Sequence, residues 1–197
     1  MYRVLIISVV IGWAINIKAQ IKVACVGNSI TENIALSNEQ KYPSILQDLL
    51  GNGYIVRNYG IGARTVLKKG DYPYWNEERY KEVLAWNPDI VIVKMGTNDA
   101  KAQNWAYKDN FESDYIEFIL SFQTLPSHPK VFICYPIPTF KDNFLPVDDQ
   151  LLVKEMMPMI DNISKATCAD IIDLHTPLVG KDDCVYDKVH PNEKGTK

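Results

Sequence analysis

The chain has 197 residues, a length typical of one domain rather than two. Hydrophobic residues make up 47% and charged residues 23%, so the chain can bury a full core and general disorder is excluded. The formal net charge of −3 at pH 7 excludes the strongly basic surface that binds nucleic acid or an anionic membrane. We therefore expect a neutral or small substrate.

The N-terminal segment 1–19 has the pattern of a secretory signal peptide. It has a basic start at Arg3, an apolar run over residues 4–15 and a small residue at Ala19. The alternatives are a buried first strand or an anchoring helix, but the apolar run is shorter than the roughly 20 residues that a bilayer span needs. The pattern predicts a secreted or periplasmic domain over residues 20–197, without stable membrane insertion after cleavage.

Short apolar runs alternate with longer amphipathic stretches along the rest of the chain. This alternation is typical of a parallel sheet with helices on both faces. The sequence predicts an α/β fold, a three-layer α/β/α arrangement with a flavodoxin-like, doubly wound parallel sheet of five strands. The predicted strands are 21–26, 54–56, 90–95, 131–135 and 171–174, and the predicted helices are 42–50, 76–85, 110–125 and 149–167.

Polar side chains follow three of the predicted strands. Ser29 follows the first strand, Asn98 the third, and Asp187 and His190 come after the fifth. Ligands bind at the carboxyl ends of the strands in a doubly wound sheet. A serine becomes a nucleophile when a histidine takes its proton and a third group orients the histidine. The sequence therefore predicts a Ser29, His190 and Asp187 triad, although each residue by itself is also explained as a helix cap or a turn.

Acyl transfer also needs hydrogen-bond donors for the oxyanion that develops on the carbonyl oxygen. The side chain of Asn98 and the backbone N–H of Ser29 are two candidates. A third donor is expected from the turn "NYGIGART", at either Gly62 or Ala63.

Aromatic residues lie near these turns. Tyr74 and Trp75 follow the second strand, and Trp105 follows "GTND". We predict that they bind substrate as platforms for the apolar faces of sugar rings, with half-buried loop anchors as the alternative interpretation.

No metal or cofactor is predicted. "HPNE" offers one histidine, too few for a zinc site, and "GIGART" lacks the third glycine of a dinucleotide-binding turn. Cys25 and Cys134 lie in apolar runs and are interpreted as small buried residues. Whether Cys168 and Cys184 form a disulfide is left open.

Four segments resemble the sequence blocks of the SGNH (GDSL-like) hydrolases. They are "GNSIT", "GIGART", "GTND" and "DKVHPN", and the resemblance covers about residues 20 to 195. It implies the SGNH hydrolase fold, with Ser29 as nucleophile, Asn98 as oxyanion donor, and Asp187 with His190 as the rest of the triad.

The chain departs from the family pattern at three points. Asn28 replaces the usual aspartate, and we predict that it contacts substrate. Ala63 stands where the oxyanion glycine is expected, which a backbone donor tolerates if its φ is negative. The sequence also stops soon after His190, where family members commonly continue into a closing helix, so that helix is expected to be truncated.

Three further segments, "VACVGNSIT", "KKGDYPYWN" and "KAQNW", look most like bacterial carbohydrate deacetylases of the sialate O-acetylesterase-like type. This likeness implies a serine esterase that removes O-acetyl groups from a small-molecule or glycan ester. The alternatives are a lysophospholipase or thioesterase on the same fold, and a glycan-binding module that has lost its chemistry.

Overall fold

The computed structural model describes residues 19–197, over which strands and helices alternate as the sequence predicted. The predicted signal peptide lies outside the described residues, apart from Ala19. The strands are β1 (Ile21–Gly27), β2 (Tyr54–Gly60), β3 (Ile90–Lys94), β4 (Lys130–Cys134) and β5 (Asp170–Ile172). The helices are α1 (Ser29–Glu32), α2 (Tyr42–Leu50), α3 (Glu78–Trp86), α4 (Ala102–Trp105), α5 (Phe111–Gln123), α6 (Asp149–Leu151), α7 (Met157–Thr167) and α8 (Glu193–Thr196).

The predicted helix 149–167 is interrupted by one wide turn. A π-helix at Leu152–Met156 joins α6 to α7, and Pro158 follows at the start of α7. Proline has no N–H to donate to the preceding turn and its ring crowds the carbonyl four residues back. A π turn immediately before a proline accommodates both effects.

The five strands form one parallel sheet in the order β2-β1-β3-β4-β5, which confirms the flavodoxin-like prediction. The order reverses between β1 and β3, so their carboxyl ends border the crevice where such sheets bind ligands. Ser29 follows β1 and Asn98 follows β3. Within the described part of the chain, no helix is long and apolar enough to cross a membrane.

The two faces of the sheet are covered differently. Val91 and Val93 of β3 point into the main core, where α3, α5 and α7 pack. Aromatic rings pack between α3 and α5. Tyr80 of α3 stacks on Phe118 of α5, with the ring centres 5.6 Å apart.

On the opposite face, α2 borders an apolar groove of about 740 Å³. Ile92 and Lys94 of β3 line the groove together with α2, and Lys194 to Lys197 lie at its border. The side chain of Lys94 is buried, and its ammonium donates to Thr97 Oγ1 at 2.9 Å. Burial lowers the pKa of Lys94 to about 7, because a desolvated ammonium favours losing its proton.

The cysteines are unbonded. Cys25, Cys134 and Cys184 are buried and Cys168 is exposed. The interpretation of Cys25 and Cys134 as small buried residues fits this burial, and burial raises the pKa of each of these two thiols to about 12.

Candidate active site

The turn after β1 positions Ser29 as the first residue of α1. The side chain of Asn28 caps this short helix by accepting the N–H of Ile30 at 3.0 Å. Glycines at two paired strand ends, Gly27 of β1 and Gly60 of β2, let α1 approach closely. A Cβ at Gly60 would lie 2.2 Å from the backbone nitrogen of Glu32, so only glycine fits there.

Asn28 was predicted to contact substrate, and its position in the structure favours a structural role instead. Its side chain is fully buried beneath the nucleophile turn. The carboxamide oxygen serves the helix cap, and Nδ2 has no hydrogen-bond partner among the described residues. A buried cap orders the turn but offers no surface to a ligand.

Ser29, His190 and Asp187 lie in one chain of hydrogen bonds. Nε2 of His190 is 2.7 Å from Oγ of Ser29, and Nδ1 of His190 is 2.7 Å from Oδ2 of Asp187. Because a carboxylate only accepts hydrogen bonds, Nδ1 carries the proton and Nε2 is left as the acceptor for the serine hydroxyl. This geometry lets the imidazole take the serine proton.

The turn "DKVH" holds the carboxylate beside the imidazole. Oδ1 of Asp187 accepts the backbone N–H of His190 at 2.7 Å and that of Val189 at 3.1 Å. Partial burial acts to raise the pKa of Asp187, but the hydrogen bonds from His190 and Val189 outweigh it, and the net pKa is lowered. Asp187 therefore stays ionised and orients the ring.

The loop after β2 distinguishes the two candidate backbone donors. The N–H of Gly62 donates to Oε2 of Glu32 at 2.6 Å, so it is already occupied. The N–H of Ala63 makes no hydrogen bond to any described residue, and neither does that of Ser29. A negative φ, the condition under which alanine is readily tolerated here, is not met, because the φ of Ala63 is +65°, in the left-handed region.

The loop after β3 presents Asn98. Its Nδ2 donates to the carbonyl of Arg64 at 3.1 Å, which leaves the second N–H of the amide group available. Asn104 in turn donates to the backbone carbonyl of Asn98 at 2.8 Å. Both contacts fix the orientation of the Asn98 amide relative to the β2 loop.

Asp99 joins the loops after β2 and β3. Its Oδ1 accepts the N–H groups of Val66 at 2.9 Å and Leu67 at 2.8 Å, and its side chain is fully buried. Burial raises the pKa of Asp99 to about 7, against the opposing effect of the Leu67 and Val66 hydrogen bonds. Sequence reasoning treated "GTND" as the source of Asn98 and missed this structural carboxyl group.

Two of the three predicted aromatic platforms are buried instead. Tyr74 is 0% exposed and donates its hydroxyl to the carbonyl of Tyr59 at 2.6 Å. Trp105 is 8% exposed and packs on Phe111. The burial of both rings favours the alternative interpretation, in which they anchor their segments to the core, over the prediction that they bind substrate.

Trp75 is half-buried. Its indole N–H donates to the carbonyl of Val66 at 2.8 Å, and its ring meets Phe118 edge-on at 5.1 Å. The ammonium of Lys68 lies 4.5 Å from the ring centre. These contacts fit the alternative interpretation of a loop anchor.

Sequence reasoning missed two exposed rings beside the imidazole. Phe144 is 59% exposed and Tyr186 is 49% exposed. Each ring lies nearly parallel to His190 with its centre 5.7 Å away. The position of Tyr186 directly before Asp187 was a usable signal, whereas nothing near Phe144 in the sequence links it to the site.

A doubly wound sheet with a Ser–His–Asp hydrogen-bond chain and convergent amide donors at its carboxyl edge is an arrangement that serine hydrolases use. The chain belongs to the GDSL-like lipase/acylhydrolase family, whose model matches residues 25–197.

An acetylxylan esterase of Xylanibacter ruminicola is 40% identical over an alignment that covers 90% of this chain. The alignment covers 41% of that relative, so the chain spans less than half of its length. The acetyl xylan esterase AlAXEase has a solved structure with 26% identity and a TM-score of 0.71, covering 89% of this chain and 94% of that one. Est24, a carbohydrate acetylesterase from Sinorhizobium meliloti, has a TM-score of 0.69 over 90% of this chain and 93% of its own; at 18% identity it shows the fold alone.

Proposed function

We propose that this protein is a serine esterase that removes O-acetyl groups from carbohydrates through an acyl-enzyme. The observation that carries the proposal is the pair of 2.7 Å contacts that connect Ser29, His190 and Asp187. These contacts supply a nucleophile, a base and an orienting carboxylate in one place.

In the first half of the reaction, Oγ of Ser29 attacks the acetyl carbonyl carbon while Nε2 of His190 takes the hydroxyl proton. The carbonyl oxygen becomes an oxyanion. When the bond to the sugar oxygen breaks, His190 returns its proton to that oxygen, and acetyl-Ser29 remains. Water then attacks the acetyl group, with the same transfer of a proton through His190, and acetate leaves.

Three donors are assigned to the oxyanion: the N–H groups of Ser29 and Ala63, and Nδ2 of Asn98. The free backbone N–H groups of Ser29 and Ala63 and the second amide N–H of Asn98 support this assignment. Gly62 is left out because its N–H is bound to Glu32.

Two observations support an acetylated carbohydrate as the substrate class. The family relative at 40% identity carries the name acetylxylan esterase. Phe144 and Tyr186 expose aromatic surface beside His190, and aromatic faces suit the apolar faces of sugar rings. The likeness to sialate O-acetylesterase-like proteins adds acetylated sialic acid to the candidates.

We also propose that the protein is secreted or periplasmic. The basic, apolar and small-residue pattern of segment 1–19 supports export. An extracellular glycan is an accessible substrate for such a protein.

The test is acetate release from acetylated xylan, O-acetylated sialic acid and p-nitrophenyl acetate. We expect Ser29→Ala to abolish release and Asn98→Ala to lower kcat by on the order of 10² to 10³. The exposed Ser113→Ala and Asn52→Ala are matched controls that should keep wild-type rates. Hydrolysis that persists in purified Ser29→Ala contradicts the proposal.

The alternative of a glycan-binding module makes a different prediction with a fluorophosphonate, which labels activated serines. An esterase is labelled at Ser29 and Ser29→Ala is not. Absence of labelling together with retained glycan binding would favour the binding module.

A further inference from the structure

The loop that carries the N–H of Ala63 is held by hydrogen bonds at both the N–H and the carbonyl of Gly62. The N–H of Gly62 donates to Glu32, and Nη1 of Arg64 donates to the carbonyl of Gly62 at 2.8 Å. The guanidinium of Arg64 is itself held by Glu77, whose Oε1 lies 2.8 Å from both Nε and Nη2. We call Glu32, Arg64 and Glu77 the donor clamp.

The backbone needs this support, because Ala63 has a φ of +65°. A residue with a Cβ is disfavoured in the left-handed region, so an unrestrained loop would rotate out of it. Rotation at Ala63 changes the direction of its N–H. Ala63 is both the strained residue and the hydrogen-bond donor. Contacts that keep its φ positive therefore also set the direction of its N–H.

The clamp lies directly against the nucleophile. A Cβ built on Gly62 would be 3.8 Å from Cβ of Ser29 and 3.0 Å from Oε2 of Glu32. Ser29 and Glu32 are the first and last residues of α1, so one short helix carries both the nucleophile and the acceptor that fixes the donor loop.

We propose that Glu32 is a positioning residue for this reaction: by accepting the N–H of Gly62, it holds Ala63 left-handed and aims the N–H of Ala63 at the oxyanion. The inference rests on the proposed esterase function. What the reaction requires of Glu32 is an acceptor oxygen rather than a negative charge, since a charge close to the developing oxyanion opposes it. Glutamine keeps the acceptor oxygen and removes the charge.

The experiment measures kcat and KM for p-nitrophenyl acetate in Glu32→Ala, Glu32→Gln, Ala63→Gly and the double variant Glu32→Ala/Ala63→Gly. We expect Glu32→Ala to lower kcat about 10- to 100-fold with KM within about threefold, because the lost interaction acts on the transition state. Glu32→Gln should stay within about threefold of the wild type. Glycine adopts positive φ freely, so Ala63→Gly in the Glu32→Ala background should recover much of the lost kcat.

Thermal unfolding of each variant and the exposed control Glu39→Ala separate lost positioning from lost folding. The proposal is overturned if Glu32→Ala leaves kcat unchanged or raises it, or if Glu32→Gln loses as much as Glu32→Ala. Ser29→Ala is run in the same assay: turnover that does not depend on Ser29 overturns the proposed function and the positioning role together. Ser29-dependent turnover with an insensitive Glu32 overturns the positioning role alone.

Discussion

At the residue scale, the backbone of Ala63 is strained, because its φ of +65° suits glycine. The left-handed region costs an alanine about 1 to 2 kcal/mol, and glycine avoids this cost. Glycine has more conformational freedom in the unfolded chain, so its larger entropy loss on folding offsets part of that gain. We predict that Ala63→Gly raises the free energy of unfolding by about 1 kcal/mol, or about 2 to 4 °C in Tm for a chain of this size.

Urea or thermal denaturation checks this prediction against Ala85→Gly. Ala85 is exposed in the regular helix α3, so glycine there should lower stability by about 1 kcal/mol. The two substitutions are chemically identical and differ only in backbone conformation. Equal losses of stability in both would show that Ala63 is not left-handed in solution.

At the element scale, β3 carries the buried ammonium of Lys94. The groups facing it are Thr97, Cys134 and Asp99. In the folded protein the pKa of Lys94 is about 7, whereas in the unfolded chain it is near the ordinary lysine value of about 10.4. The folded protein therefore loses this proton at a lower pH than the unfolded chain does. Above pH 7 the unfolded state therefore binds more protons, and stability from this group rises with pH.

We predict that the stability of the wild type relative to Lys94→Met rises between pH 7 and about 8.5, with a slope of up to about 1.4 kcal/mol per pH unit. Methionine keeps a long side chain without the charge. Burial keeps the thiol of Cys134 protonated over this range, since its pKa is about 12. Urea denaturation of both proteins at a series of pH values measures the difference, and parallel profiles would contradict a buried, shifted lysine.

The helical segment between β4 and β5 packs against the loop that carries Asn98. Its π turn carries Met156, and a Cβ on Gly96 would lie 2.8 Å from Sδ of that methionine. Gly96 has a φ of +111° and begins the loop that presents Asn98. The wide turn before Pro158 thus packs against the loop that holds an oxyanion donor.

At the scale of the whole molecule, the apolar groove of about 740 Å³ lies on the α2 face of the sheet. Ile30 and Pro191, the chain neighbours of Ser29 and His190, line it, whereas Ser29 and His190 themselves do not. Among the described residues, the lining of the groove therefore stops short of the serine hydroxyl.

From this arrangement we predict that kcat/KM for p-nitrophenyl acetate exceeds that for p-nitrophenyl palmitate by more than about tenfold, since a pocket that cannot bury the chain gains nothing from it. p-Nitrophenyl butyrate serves as the intermediate length, and Ser29→Ala supplies the background rate. A preference for palmitate would favour the lysophospholipase or thioesterase alternative and assign the groove to the acyl chain.

The sequence by itself determined the parts of this protein that depend on local pattern. Apolar periodicity predicted the strands and the longer helices to within a few residues, because a strand or helix buries the same face wherever it packs. The rule that ligands bind at the ends of parallel strands then selected Ser29, Asn98, Asp187 and His190, and these residues lie at one edge of the sheet in the structure.

Only the tertiary structure decided which side chains face solvent and which backbone groups are free. Tyr74 and Phe144 are both aromatic residues in loops, yet one is fully buried and the other is 59% exposed, because each depends on segments far away in the chain. The occupied N–H of Gly62 and the free N–H of Ala63 likewise depend on Glu32, thirty positions earlier in the chain. The contact between Glu32 and Gly62 joins α1 to the loop after β2, and no local pattern encodes it.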